Sequence, residues 1–243
     1  MRERDTIAVI GMGQLGGLLS AGLAMQGHTI VPFLRGDSVA SLVDHAPRVV
    51  LVAVGERDLA SVLDAIRAPL RDRVALLQNE LLPPDWERAG IIDPTVLVVW
   101  AEKKAGRAPR IIRPTPIAGP HAERFVAALA RVDVPAELLA DRAALTHALV
   151  VKNVYILVTN LAGLRHGIRT TGALADAHAD VVRALAHEVL DVEEARLRAK
   201  VDRERVIAEA VDAMRADPEH GCAGRTAKER EERLFARRRA LLG

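Results

Sequence analysis

The sequence predicts an α/β chain in which a doubly wound, mostly parallel sheet over residues 1–140 is followed by an all-helical region over residues 141–243. Three observations predict it. β-branched runs alternate with helix-period stretches through the first part, as parallel strands joined by crossover helices do. The runs Thr6–Ile10 and Arg48–Val54 are apolar at successive positions rather than alternating, which suits strands covered on both faces. Past Asp141 no convincing strand recurs, and apolar residues fall at helical spacing.

Thr6–Ile10 is the first strand. It runs into Gly11-Met12-Gly13-Gln14-Leu15-Gly16, a G-x-G-x-x-G turn, and Leu15–Gln26 continues as a helix. Strand, glycine turn and helix in that order form the fingerprint of a Rossmann dinucleotide site. The first glycine allows the tight turn, the second lets backbone approach a pyrophosphate, and the third lets helix and strand pack closely. Free N–H groups and the dipole at the helix start favour the anion. His28–Phe33 is the second strand, closed by Leu34-Arg35-Gly36-Asp37 about 20 residues past the glycines. An acid at this strand end would hold the ribose 2′-hydroxyl of NAD(H), whereas an arginine suits the 2′-phosphate of NADP(H). Arg35 stands there, so NADP(H) is expected over NAD(H), with Asp37 close enough to leave NAD(H) open.

Ser38–Asp44 reads as a short helix, Arg48–Val54 as the third strand and Glu56–Ala68 as a helix with Leu59, Val62, Leu63 and Ile66 on one face. Val74–Leu77 is the next strand and ends in Gln78-Asn79-Glu80; Pro83-Pro84 opens another short helix. Thr95–Trp100 and Arg110–Arg113 read as further strands, the latter preceded by Lys103, Lys104 and Arg107. No element is assigned between Arg113 and Asp141. Asp141 is placed to cap a long apolar helix ending near Leu164, and Thr170-Thr171-Gly172 breaks the chain. A second helix is expected over Leu174–Leu190, others up to Met214, and a last one over Thr226–Leu242 after the loop from Asp217 to Gly224.

Composition narrows the function. Half the residues are hydrophobic and 27% are charged, the balance of an ordinary globular chain. No apolar run is expected to reach the length of a membrane span, and Met1-Arg2-Glu3-Arg4-Asp5 lacks the apolar stretch of a signal peptide, so cytoplasm is the expected location. Cys222 is the only cysteine, which excludes an internal disulfide and a cysteine-built metal cluster. No His-Glu-x-x-His or similar spacing suggests a metal, and no G-x-S-x-G suggests a serine hydrolase. Residues 224–243 are basic, but the chain has only six Phe, Trp and Tyr to stack on bases, so nucleic acid is not the expected partner. The basic run reads instead as a solvated face of the terminal helix, whose Leu234, Phe235, Leu241 and Leu242 fit a homodimer contact.

Within the first helical stretch past Asp141 stands Lys152-Asn153-Val154-Tyr155-Ile156-Leu157-Val158-Thr159-Asn160. A lysine and two amides in so apolar a helix are costly unless paired or facing a cavity. At about 3.6 residues per turn, Asn153 and Asn160 lie nearly above one another, with Lys152 turned away by about 100°. A ligand is expected beyond the carboxyl ends of the strands, in the cleft that two such domains make. His220 and Cys222, which share one loop, are not assigned a role.

These residues carry a resemblance. Gly11-Met12-Gly13-Gln14-Leu15-Gly16, Arg35, Leu77-Gln78-Asn79, and Lys152 with Asn160 eight positions on resemble the ketopantoate reductase (2-dehydropantoate 2-reductase) family, within the larger group similar to 6-phosphogluconate dehydrogenase. The resemblance implies an NADPH-binding N-terminal domain, a helical C-terminal domain and a small-molecule substrate, expected to be an acid, between them. It implies Lys152 as the group that stabilises and protonates the ketone oxygen, with Asn79 and Asn160 orienting the reactants. The chain departs from the family at several points. Gly55 replaces a lysine after the third strand, Asn79-Glu80 replaces Asn-Gly, Ile156 replaces a mid-helix asparagine, and Asp217 to Thr226 replaces a Ser-Ser-Met-x-x-Asp stretch and the Thr-Glu that follows. The expected function is an NADP(H)-dependent reductase of a small 2-oxo acid or related ketone. The alternative is a dinucleotide-binding regulator or scaffold without turnover.

Overall fold

The computed structural model describes residues 4–103 and 105–243; Met1–Glu3 and Lys104, on which the sequence reading drew, lie outside the described residues. The chain divides into two compact units, one ending at Leu145 and the other running from Thr146 to Gly243.

The first unit begins β1 (Thr6–Ile10), α1 (Gln14–Met25), β2 (Thr29–Phe33), a 3₁₀ helix (Val39–His45), β3 (Val49–Val52) and α2 (Leu59–Ala65). A 3₁₀ helix (Ala68–Arg73), β4 (Val74–Leu76), α3 (Pro83–Glu87) and β5 (Thr95–Leu97) follow. It closes with β6 (Ala101–Glu102), β7 (Arg110–Ile111), β8 (Thr115–Ala118), α4 (Ala122–Ala130) and β9 (Ala136–Leu138). One sheet runs β2-β1-β3-β4-β5-β8-β9, and β6 and β7 form a separate antiparallel pair. Neighbours from β2 through β5 are parallel; β8 joins β5 antiparallel and β9 joins β8 parallel. The central strands are buried on both faces, as expected: Ile7, Ala8 and Val9 on β1 and Val49, Val50 and Leu51 on β3 are all 0% exposed. Chain order reverses between β1 and β3, the switch point at which α/β sheets place ligands.

The segment without assigned elements holds β8, α4 and β9. Pro116 lies inside a strand paired on both sides, and proline there lacks a ladder donor, so the local pattern reads as loop. α4 crosses α1 so closely that a Cβ on Gly22 would stand 2.2 Å from the Ala128 carbonyl oxygen. Other expected elements are shorter. The fifth strand ends at Leu97 rather than Trp100, because Pro116, next in register, accepts from Val98 N at 2.8 Å but has no N–H to return the bond, and the helix expected over Glu56–Ala68 keeps only Leu59–Ala65.

The second unit is built from α5 (Arg142–His166, whose first residues belong to the first unit), α6 (Thr171–Ala177), α7 (Ala179–Leu197), α8 (Arg203–Ala216) and α9 (Ala227–Leu242). Asp141 accepts from Ala144 N at 2.8 Å, the capping expected of it. The single helix expected over Leu174–Leu190 is two, broken at His178 (φ −134°, ψ 45°), and the second continues to Leu197. Val150, Leu157, Val158 and Ala162 on α5 are 0% exposed. By length and composition α5 is apolar enough to cross a membrane, which corrects the expectation that no stretch approaches a span. In the structure 72% of its apolar window is buried in protein, as in a core helix.

Candidate functional site

Each glycine of the first turn has a distinct physical role. Gly11 adopts φ +93°, and a Cβ there would stand 2.8 Å from the Ala53 carbonyl oxygen at the end of β3. Its amide donates to the Phe33 carbonyl at 3.0 Å, tying the ends of β1 and β2. A Cβ on Gly16 would lie 2.1 Å from the Gly11 carbonyl oxygen, so α1 packs onto the turn only without a side chain there. Gly13, the residue before α1, meets nothing within 4 Å of an added Cβ and is exposed. Backbone is thus bared at the helix start, the cradle a pyrophosphate requires. Met12 and Gln14 are exposed beside it, and Leu15 packs against the core.

Gly11, Gly13 and Arg35 line one cavity of about 600 Å³ at the carboxyl ends of β1, β2 and β3, together with Arg57, Asp58 and Ser61 from the segment after β3. The volume falls in the usual range of small-molecule sites. Asp37 turns back on its own loop and accepts from Leu34 N at 2.7 Å. Arg35 Nη2 stands 3.7 Å from Asp58 Oδ2, and Arg57 Nε stands 3.5 Å from Asp58 Oδ1. Arg57 and Asp58 escaped the sequence reading, because both lie in what looked like the first turn of a longer helix. On this geometry the residues present fit a dinucleotide.

Gln78 and Asn79 hold the neighbouring loop. Gln78 Nε2 donates to the Val52 and Val54 carbonyls at 2.7 and 3.2 Å, covering the end of β3, and Asn79 Nδ2 donates to Glu56 Oε1 at 3.0 Å. Glu80 is buried and adopts φ 60°, a left-handed conformation that favours glycine. A glycine would adopt this conformation without strain, and here Glu80 holds it.

Lys152 and Asn160 lie in the helical unit. Lys152 is buried, its Nζ 5.6 Å from the centre of the Tyr155 ring. Burial, and then the positive charge of buried Arg230 on α9, push its amine down to about 7. Asn153 is 1% exposed and donates to Glu193 Oε2 at 2.6 Å; Glu193, 0% exposed, accepts from Arg196 Nη1 at 2.7 Å through its other oxygen. That buried chain links α5 to α7. Asn160 donates to the Ile156 carbonyl at 2.6 Å and accepts from Gly224 N at 3.1 Å. Glu193 and Arg230 were not singled out from the sequence, since Asn153 and Lys152, the groups they act on in α5, lie 40 and more positions away.

The loop after α8, where the chain departs most from the resembling family, is laced to α5 and α6. Thr171 Oγ1 donates to the Asp217 carbonyl at 2.6 Å, Gly172 N to the Pro218 carbonyl at 2.9 Å and Cys222 N to the Arg169 carbonyl at 2.9 Å. Gly163 admits the loop, since a Cβ there would meet Ala223 N at 2.7 Å. Burial pushes the Cys222 thiol up to about 11, which keeps it protonated and a poor nucleophile. Among the described residues no group of three or more His, Cys, Asp or Glu is placed to hold a metal ion.

A mostly parallel sheet with a glycine turn at its switch point is thus followed in the chain by a helical unit opened by one long helix. No protein-family model matches the chain, and no curated protein does. Among solved structures it is similar to the 2-dehydropantoate 2-reductase of Methylococcus capsulatus, with a TM-score of 0.68 at 15% identity, over 97% of this chain and 91% of that one. It is similar to the Porphyromonas gingivalis W83 enzyme of the same name, with a TM-score of 0.65 at 15% identity, over 99% of this chain and 95% of that one. A D-mandelate dehydrogenase solved with NADH gives 0.66 at 12% identity, over 97% and 92%. At such identities the likeness establishes a shared fold: this chain has the ketopantoate reductase fold.

Proposed function

We propose that the chain is an NAD(P)H-dependent reductase of a small 2-oxo acid or related ketone, with NADP(H) the preferred cofactor. The observation that carries this reading is the buried Lys152, whose amine is pushed down to about 7 inside an apolar helix. A general acid works best with a pKa near the working pH. A lysine so placed is about half protonated at neutral pH and gives up its proton far more readily than an ordinary lysine. When bound, NADPH supplies the hydride. Gly11, Gly13 and Gly16 with the start of α1 hold its diphosphate, and Arg35 its 2′-phosphate. Lys152 stabilises the charge that grows on the ketone oxygen and gives that oxygen its proton. Asn79 and Asn160 orient the reactants.

The reading is tested by mixing protein, NADPH and a panel of 2-oxo acids and following absorbance of the reduced nicotinamide. At least one acid should be reduced, and Lys152→Ala should slow that reaction at least about a hundredfold. A loss under about threefold would remove Lys152 from the chemistry. A nucleotide-binding regulator without turnover is the second reading, favoured by the Asn160 amide, both ends of which are engaged within the helical unit. Tight NADPH binding with no consumption across the panel would select it. We further expect a homodimer through α9, where Phe235, Leu241 and Leu242 are exposed, whereas Leu234, expected in the same contact, is 0% exposed and packs inside the chain; a ketopantoate reductase from Staphylococcus aureus of this fold is described as dimeric. Sedimentation velocity would return a monomer if that expectation is wrong.

A further inference from the structure

Arg35 and Arg57 come from different segments, one after β2 and one after β3, yet both guanidiniums face the same carboxylate. Asp58 receives Arg35 on Oδ2 at 3.7 Å and Arg57 on Oδ1 at 3.5 Å, at the rim of the cavity that Gly11 and Gly13 also line. The backbone that carries this carboxylate is anchored: Asp58 N donates to the Gly55 carbonyl at 3.0 Å and the Asp58 carbonyl accepts from Ser61 Oγ at 3.0 Å. The side chain of Asp58 is 43% exposed, and those of Arg35 and Arg57 are 88% and 77% exposed. Exposed pairs at such separations contribute little and yield readily to a stronger anion. A phosphate monoester is such an anion, carrying about −1.5 to −2 charge and three acceptor oxygens that suit guanidinium forks. Asp37, the other acid of this rim, is engaged by Leu34 N.

We infer that Arg57 joins Arg35 in a two-arginine clamp for the 2′-phosphate of NADP(H), and that Asp58 competes with the phosphate for both guanidiniums. This rests on the dinucleotide reading above. Asp58 then has two opposed effects. It gathers the arginines at the cavity rim before the ligand arrives, and its charge repels the phosphate once there. Repulsion is the larger effect, because phosphate itself gathers the arginines. The net result is a cofactor preference held below what two arginines alone would give.

The test is calorimetric titration of the full chain and its variants with NADPH, NADH and 2′,5′-ADP, the last carrying the 2′-phosphate without nicotinamide. Arg57→Ala should weaken NADPH and 2′,5′-ADP at least about tenfold, the scale of one charge-assisted contact, and leave NADH within twofold. Asp58→Asn should tighten NADPH and 2′,5′-ADP roughly threefold or more with NADH unchanged, as expected for removing one nearby like charge. The clamp is overturned if Arg57→Ala moves NADPH and NADH alike or moves neither, and the competition is overturned if Asp58→Asn weakens NADPH. Binding of neither NADPH nor NADH to the unaltered protein would sink the dinucleotide reading itself. All of these residues are solvent-exposed or half-exposed, and circular dichroism will establish that each variant is folded.

Discussion

In the first unit, a ligand at the glycine turn would meet bare backbone and exposed charge; in the second, the chemistry-bearing groups are buried among apolar side chains. Gly13 opens on empty space and the arginines nearby stand mostly in water, whereas Lys152, Asn153, Glu193 and Arg230 are all under 9% exposed. The two settings suit different tasks. Exposed cations on a rigid backbone serve recognition, where each contact contributes modestly and salt screens it. Burial changes what a group is, lowering the amine of Lys152 by more than any surface contact does. Under the proposed function, recognition falls to the first setting and reactivity to the second.

The contrast can be broken hardest at the glycines. Gly16→Val places atoms where the Gly11 carbonyl already stands, 2.1 Å from an added Cβ. It should destabilise the first unit by about 3 kcal/mol or more, the upper range for overpacking, read by urea unfolding. Gly13→Ala, whose Cβ meets nothing, should leave stability within about 0.5 kcal/mol, as exposed changes do, yet weaken NADPH measurably. Equal stability losses in the two variants would contradict the division of labour among the glycines.

Next in size is the cost of the buried amine. With a folded pKa of about 7 against an ordinary 10.5, Lys152 binds its proton more weakly in the folded chain than in the unfolded one. Below pH 7 both states are protonated and the burial cost is fully present. As pH rises from about 7 to 10.5 the unfolded chain binds more proton than the folded one, so stability climbs. Lys152→Met should therefore stabilise the protein most below pH 7, by about 5 kcal/mol at the upper limit, with the gain fading towards pH 10.5. A gain independent of pH would mean the amine is not perturbed.

The smallest effect sharpens the cause. Arg230→Gln removes the second contributor to the shift and leaves burial in place, so the amine should titrate higher. Displacement of the lysine ¹⁵N titration midpoint to higher pH checks this, and an unmoved midpoint would assign the whole shift to burial.

Legibility in the sequence followed the range of the interactions. The glycine turn, the central strands, the Asp141 cap and the odd lysine in an apolar helix are each written within a few residues, and local pattern found them. β8, α4 and β9 were hidden because Pro116 breaks the strand signal and only pairing on both sides restores it. The Asn153–Glu193 bond spans 40 positions and the Lys152–Arg230 influence spans more, so no local spacing foretells either. Arg57 and Asp58 were read as helix, and only the 3.5 and 3.7 Å separations around one carboxylate give them a second meaning.

The most direct measurement of the central claim is the pH dependence of kcat/KM for 2-oxo acid reduction at saturating NADPH. If Lys152 supplies the proton, the rate is flat below pH 7 and falls about tenfold per unit above it, and that break disappears in Lys152→Ala together with most of the rate. A break that persists unchanged in the variant, or a rate indifferent to the lysine, would contradict the assignment of proton transfer to the helical unit.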